Sequence, residues 1–288
     1  MKTLLHVNYH EGANRLDNLF KLAATCGYDG VELRWRYKFA DYDQASYQEK
    51  VAQLKQQYPD FEIVFGGMVN FCRGTKDEVE RDTALYLEFL EWAKANCGTK
   101  VMNFFTGGLS RPGAQYVEFD RNGSGYAEEG DYERSAAGLR IVGEKAQSLG
   151  MLIALETHNC YLHDLPQPCR KLLDMCGHPA IGVNYDQGNI ILNKNGSTIP
   201  QFFDLLGDKI HYAHLKNMLI VRGYNASGYM GCRLSDGHIN NMTMMEGLKK
   251  HLKSGIFAVE YPNTGDGIYA AFKDIEYIKF LKDYLDIK

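Results

Sequence analysis

Short apolar runs recur along this chain, each followed by an amphipathic stretch, and the alternation repeats eight times. The runs fall near residues 4–9, 30–35, 62–68, 100–106, 151–157, 181–186, 210–216 and 257–262. Apolar runs this short, bounded by turn residues, read as buried parallel strands. The intervals carry helical spacing. Residues 76–95 place Leu85, Phe89, Trp92 and Ala93 on one face, and residues 132–149 place Ala136, Leu139, Val142, Ala146 and Leu149. The last interval carries Phe272, Ile275, Ile278 and Leu281. Gly stands at the helix-to-strand turns, as Gly27, Gly98, Gly150, Gly177 and Gly255, where a helix ends in a left-handed residue. Alternating βα units demand a parallel sheet. Eight of them in 288 residues, without a linker or low-complexity stretch, predict one (β/α)₈ TIM barrel spanning 1–288. The rival is an open doubly wound sheet. Its dinucleotide form needs Gly-x-Gly-x-x-Gly after the first strand. Residues 8–14 read Asn-Tyr-His-Glu-Gly-Ala-Asn instead.

Composition narrows the function classes. A net charge of −4 gives no electrostatic reason to expect nucleic acid or an anionic membrane as partner. No apolar run reaches bilayer length. The opening Met1-Lys2-Thr3 leads into a strand without a cleavable leader, so a cytoplasmic location is expected. Seven Cys without a Cys-x-x-Cys pair read as reduced, structural thiols, with Cys160 the one to watch. The chain is compatible with a homo-oligomer, but no apolar stripe in the sequence isolates an interface.

Four residues near the ends of predicted strands carry the chemistry: Glu156, Asp186, His214 and Glu260. A parallel barrel gathers its C-terminal strand ends around one mouth, so these four are expected to converge. A carboxylate buried alone there would cost several kcal/mol. Three carboxylates and an imidazole make a hard donor set, suited to one divalent ion such as Mn²⁺, Mg²⁺, Co²⁺ or Zn²⁺. The bland alternative pairs each carboxylate with a Lys or Arg. His211 competes with His214, but strand alternation points 210, 212, 214 and 216 one way and 211, 213 and 215 toward the helices. His158 and Lys216 lie two residues beyond Glu156 and His214 on the same faces. They are the candidate acid/base pair, against a supporting role for His158 and a salt bridge from Lys216 to Glu156 or Glu260. Arg34 shares a strand face with Glu32, so it reads as their ion pair or as a substrate contact. Arg222 and Arg233, in a long connection over 218–240, are candidates to bind a substrate carboxylate or phosphate in bidentate fashion, against plain solvation. A second connection runs over 107–131. Both connections are expected to cover the mouth. Trp35, Phe71, Phe104 and Phe105 read as packing.

The ordered set of strand ends resembles the xylose isomerase-like TIM-barrel superfamily, and within it the sugar phosphate isomerase/epimerase group. Gly-Tyr-Asp-Gly-Val-Glu-Leu-Arg at 27–34 is similar to that group's second strand. Leu155-Glu156, Asn184-Tyr185-Asp186-Gln187-Gly188-Asn189 and His211-Tyr212-Ala213-His214-Leu215-Lys216-Asn217 resemble the fifth, sixth and seventh. Asp236-Gly237-His238-Ile239-Asn240 and Val259-Glu260-Tyr261 resemble the remaining motifs. The resemblance implies one divalent ion on Glu156, Asp186, His214 and Glu260, and a small sugar-like substrate. It implies isomerisation or epimerisation by α-proton abstraction, with Glu156, Glu260 or His158 as base and an enediolate stabilised by the metal and Lys216. Two departures matter. Ketose 3-epimerases of the group usually carry a second His three residues after the Asp; here Asn189 holds that position and is taken as a substrate contact. Glu156-Thr157-His158 and His214-Leu215-Lys216 look more like 3-dehydroshikimate dehydratases, so a lyase acting on that compound, an inosose or a keto-glycoside is the alternative. A phosphodiester hydrolase of the same superfamily would need further His ligands and a basic surface, which the sequence lacks.

Overall fold

The computed structural model describes residues 1–9, 16–36, 43–116, 118–193, 195–222, 227–260 and 265–288, excepting the side chains of 221, 222 and 227. The strands are β1 (Lys2–His6), β2 (Gly30–Arg34), β3 (Glu62–Met68), β4 (Val101–Phe105), β5 (Leu152–Glu156), β6 (Ile181–Asp186), β7 (Ile210–Leu215), β8 (Asn217–Arg222), β9 (Ser227–Cys232) and β10 (Ile256–Val259). Eight of them close a parallel barrel in the order β1-β10-β7-β6-β5-β4-β3-β2. The principal helices around it are α1 (Leu16–Cys26), α2 (Gln44–Gln57), α3 (Lys76–Cys97), α4 (Glu129–Ser148), α5 (Pro166–Cys176), α6 (Gln187–Ile190), α7 (Ile199–Leu206), α8 (Asn241–His251) and α9 (Gly267–Tyr284). This is the TIM barrel that the rhythm of the sequence predicts. Its local signals hold as well. Thr75 and Glu78 form a reciprocal cap at the start of α3, and left-handed Gly98 and Gly177 end α3 and α5. Among the described residues no helix is long and apolar enough to cross a membrane.

Strand alternation divides the core in two. Outward residues such as Leu5, Val31, Phe65, Ile153, Val183 and Val259 pack against helix residues including Phe20, Phe89, Leu139 and Ile278. Inward residues Leu4, Val64, Val101, Ala154, Tyr212, Ile256 and Ala258 form a separate cluster inside the barrel. Filling the interior with side chains makes it a packed core rather than a pore.

Two expectations need correction. The connection after β7 is not an irregular cover throughout. Asn217–Arg222 and Ser227–Cys232 pair antiparallel over six positions as a hairpin outside the barrel. Met218-Leu219-Ile220-Val221 is a β-prone run, and the Gly, Tyr and Arg content of the segment obscured it. His211 does not face the helices. The β6–β7 register shifts between Val183 and Asn184, opposite Ile210 and Tyr212. The extra residue breaks simple alternation. The His211 ring turns into the space above Gly182, with Nδ1 3.1 Å from the Ile153 carbonyl oxygen and Nε2 3.4 Å from Lys253 Nζ. These neighbours lie toward the strand beginnings, so His211 sits at the opposite end of the barrel from the mouth.

Candidate metal centre

Several of the strands that contribute an apolar residue to the barrel interior contribute a polar one two positions later. Ala154 is followed by Glu156, Tyr212 by His214, Ala258 by Glu260 and Val101 by Asn103. Glu156, Asp186, His214 and Glu260 each offer a ligand atom, and these atoms all lie within 4.8 Å of one another. His214 Nδ1 is 3.5 Å from Glu156 Oε2, 3.8 Å from Asp186 Oδ2 and 3.3 Å from Glu260 Oε2. It is buried and makes no hydrogen bond. The four sequence-predicted ligands therefore converge, with the imidazole Nδ1 aimed among three carboxylates. These groups are placed to hold a metal ion.

The surrounding residues fix that arrangement. Thr157 Oγ1 accepts the Asp186 N–H at 3.0 Å and donates to the Asp186 carbonyl, tying the ends of β5 and β6. Asn103 Nδ2 donates to Glu156 Oε2 at 2.7 Å, and Asn184 Nδ2 donates to Asn103 Oδ1 at 3.1 Å. Asn189 Nδ2 donates to Asp186 Oδ2 at 2.9 Å and to Glu156 Oε1 at 3.2 Å. The expected substrate contact is thus engaged with two of the carboxylates. Asn8 Nδ2 donates to Glu260 Oε1 at 2.7 Å, and its Oδ1 accepts from Arg34 at 3.1 Å.

The charge balance is unusual for an interior. Glu32, Glu156, Asp186 and Glu260 crowd around Lys216 and His214. Lys216 Nζ lies 2.8 Å from both Asp186 Oδ2 and Glu260 Oε2. Its salt bridge thus includes Glu260, one of the two carboxylates the sequence suggested, and Asp186 as well. Gly188 makes room for the lysine stem, because a Cβ there would come 2.4 Å from Lys216 Cγ. Burial disfavours the Glu260 carboxylate, yet Lys216, His6 and His214 hold its pKa well below the usual range. Burial likewise opposes ionisation of Glu156, and His214 outweighs it. Four carboxylates against one ammonium and the two imidazoles of His6 and His214 leave an excess of negative charge that a divalent cation would offset. An unpartnered buried imidazole nitrogen and an oxygen-rich donor set both fit such an ion.

A cavity of ≈ 410 Å³ opens beside this cluster. Glu156, Glu260, His158, Arg34, Trp35, Phe105 and Tyr161 are among its walls. His158 is half-buried, and its Nδ1 lies 2.7 Å from the Asn159 carbonyl. A carbonyl can only accept, so Nδ1 carries the proton and Nε2 keeps a lone pair in the neutral ring. Phe105 and Tyr161 flank the ring at 5.8 and 5.3 Å between centroids. Arg34 and Glu32 do share a face; Arg34 donates to Asn8, and Glu32 turns to His214 at 2.7 Å. Trp35 packs on Tyr86 and Phe89 as expected, yet it also borders the cavity. Arg233 pairs with Asp236 at 2.7 Å. The Arg222 side chain lies outside the described residues, as does Tyr261. All seven cysteines are free. Burial pushes the Cys160 thiol up, the opposite of what a nucleophile needs.

Sequence reasoning passed over His6, Asn8, Asn103 and Tyr212. Asn103 had a signal, being a polar residue at an inward position near a strand end, as Glu156 is. Asn8 and His6 had none beyond their place at the end of the first run.

Comparison with known proteins agrees with this architecture. Solved structures of similar fold include the IOLI protein with a bound zinc atom, at 16% identity and TM-score 0.74 over 99% of this chain and 98% of that one. An L-ribulose 3-epimerase matches at 13% identity and TM-score 0.73, over 99% and 95%. A probable 3-DHS dehydratase, AsbF, involved in petrobactin synthesis in Bacillus anthracis, matches at 16% identity and TM-score 0.72, over 97% and 99%. No curated protein matches the chain by sequence. The family described as xylose isomerase-like TIM barrel matches residues 20–283, and with the closed eight-stranded parallel barrel this establishes that the chain belongs to it.

Proposed function

We propose that this chain is a divalent-metal-dependent isomerase or epimerase of a sugar or related polyhydroxy carbonyl compound. The observation that carries the reading is the convergence of Glu156, Asp186, His214 Nδ1 and Glu260 beside a cavity that His158 also borders. These four residues would hold the ion. When bound, it supplies Lewis-acid polarisation of a carbonyl and so acidifies the neighbouring C–H. Support for a metal also comes from the zinc-containing IOLI protein of similar fold.

The chain's own groups supply the proton transfers. His158 Nε2, with its lone pair free, takes the α-proton; Glu156 and Glu260 are the competing bases. The electron pair left on carbon moves onto the carbonyl oxygen, giving an enediolate. The Lys216 ammonium donates a hydrogen bond to that oxygen as its charge develops. Arg34 orients substrate hydroxyl or carboxylate oxygens from the opposite wall. Asn189 keeps Glu156 and Asp186 in register. Return of the proton to the other face gives epimerisation, and to the adjacent carbon gives isomerisation.

A second reading has its own support. Loss of a β-hydroxyl as water from the same enediolate gives dehydration. His158 two residues beyond Glu156, and Lys216 two beyond His214, match the dehydratase pattern, and a probable 3-DHS dehydratase shares the fold. Incubation in D₂O with Mn²⁺, Mg²⁺, Co²⁺ or Zn²⁺, across ketoses, inososes, keto-glycosides and 3-dehydroshikimate, decides between them. Deuterium in a substrate or its epimer supports the first reading. Release of water with a new C=C bond supports the second. Exchange into none of them contradicts both.

A further inference from the structure

Glu32 is a heavily hydrogen-bonded group in the barrel mouth that the proposed chemistry does not use. Its side chain is 1% exposed. Oε2 accepts from Tyr212 Oη at 2.8 Å and faces His214 Nε2 at 2.7 Å, while Oε1 accepts from Asn103 Nδ2 at 3.2 Å. His6 Nε2 stands 3.8 Å from Oε1. A carboxylate surrounded by donors is held as an acceptor, so His214 presents Nε2–H to it. The other ring nitrogen, Nδ1, then has no hydrogen-bond partner and faces Glu156, Asp186 and Glu260.

We infer that Glu32 is a positioning residue: it fixes the rotamer and tautomer of His214, so that Nδ1 carries the lone pair a divalent ion takes. The inference rests on the metal-dependent reading above. A neutral imidazole offers one lone pair, and a hydrogen bond at one nitrogen selects the other for the metal. Tyr212 and Asn103 act one layer further out. By occupying the remaining acceptor directions of Glu32, they stop the carboxylate from swinging into the cavity. Tyr212 therefore links the apolar barrel interior to the metal centre, since its ring packs in the interior cluster and its hydroxyl reaches Glu32. The pair Glu32 and Arg34, adjacent on one face of β2, divides in role: Glu32 serves the ligand His214 and Arg34 serves Asn8 and the cavity.

The test is a Zn²⁺ titration against a competing chelator, on wild type and on Glu32→Gln, with nitrogen-15 NMR of the histidines in the Zn²⁺-loaded proteins. Outer carboxylate partners of metal-bound histidines are worth about 10–100-fold in affinity. We expect one Zn²⁺ per wild-type chain, with Nδ1 of His214 bound and a slowly exchanging Nε2 proton shifted far downfield. In Glu32→Gln that proton moves upfield and affinity falls about 10–100-fold. Tyr212→Phe, which keeps the carboxylate, guards against a Gln variant that fails to fold. It should weaken binding by less than Glu32→Gln does. Wild type that binds Zn²⁺ through Nε2 of His214, or variants with wild-type affinity, would overturn the role of Glu32 and leave the metal reading standing. Wild type that binds no Zn²⁺ would overturn both.

Discussion

The floor and the mouth of this barrel are built by the same strands and differ in what a two-residue step along them presents. Ala154, Tyr212 and Ala258 belong to a buried apolar cluster with Leu4, Val64, Val101 and Ile256. Glu156, His214 and Glu260, one alternation further on, belong to a charged cluster with Glu32, Asp186 and Lys216. The floor gains from removing apolar surface from water, a non-directional force that tolerates similar shapes. The mouth concentrates like charges, which costs stability unless every oxygen finds a donor or a cation. Asn103, Asn189 and Asn8 supply neutral donors there. The lesson is that one region stores stability and the other spends some of it on holding reactive groups close.

Substitutions at the two levels should therefore fail in different ways. The largest effect belongs to a proposed ligand at the mouth. Asp186→Ala should abolish measurable divalent-ion binding in calorimetry while the far-ultraviolet dichroism keeps its barrel signature; retained stoichiometric binding would remove Asp186 from the site. Next come His158→Ala and Lys216→Ala. General acid–base help is worth about 10²–10⁴-fold, so kcat should fall by that order with metal content intact. If these variants lose metal or stability with kcat unchanged at saturating ion, both residues are supports rather than participants.

On the floor, Leu4→Ala should cost about 2–5 kcal/mol of unfolding free energy, with one ion still bound at wild-type affinity. Coupled loss of affinity would show that the two levels are not separable. The smallest effect is a pH dependence. Burial, aided by the Lys253 ammonium, pushes the His211 pKa down to about 4, against about 6.5 in an unfolded chain. The folded state resists a proton that the unfolded state accepts, so the His211 contribution is whole above pH 6.5 and is lost as pH falls toward 4. At pH 5 the loss is about 2 kcal/mol. Urea unfolding at pH 7 and pH 5 should show this drop in wild type and a smaller one in His211→Gln; equal drops would exclude His211 as a source.

Much of this was legible in the sequence because periodicity reports burial. The convergence of Glu156, Asp186, His214 and Glu260 followed from strand ends alone, and the eight runs mark the barrel strands to within a few residues. What escaped has physical reasons. The bulge opposite Val183 turns His211 by one residue, and nothing in Ile210-His211-Tyr212 announces it. The β8–β9 hairpin hid in a segment whose Gly and Tyr suggested a loop. Glu32 looked like the partner of Arg34, because neighbours on one strand face are visible in sequence and a contact across the barrel to His214 is not.

The central claim is that Glu156, Asp186, His214 and Glu260 hold one divalent ion through Nδ1 of the imidazole. An anomalous difference map from a crystal grown with Mn²⁺ or Co²⁺, collected at wavelengths on either side of the metal edge, tests it most directly. The account predicts one strong peak per chain, about 2.0–2.3 Å from His214 Nδ1 and from an oxygen of each carboxylate. A peak elsewhere, bonding through His214 Nε2, or no peak at an ion concentration that saturates binding of such ions by other barrels of this fold, would contradict it.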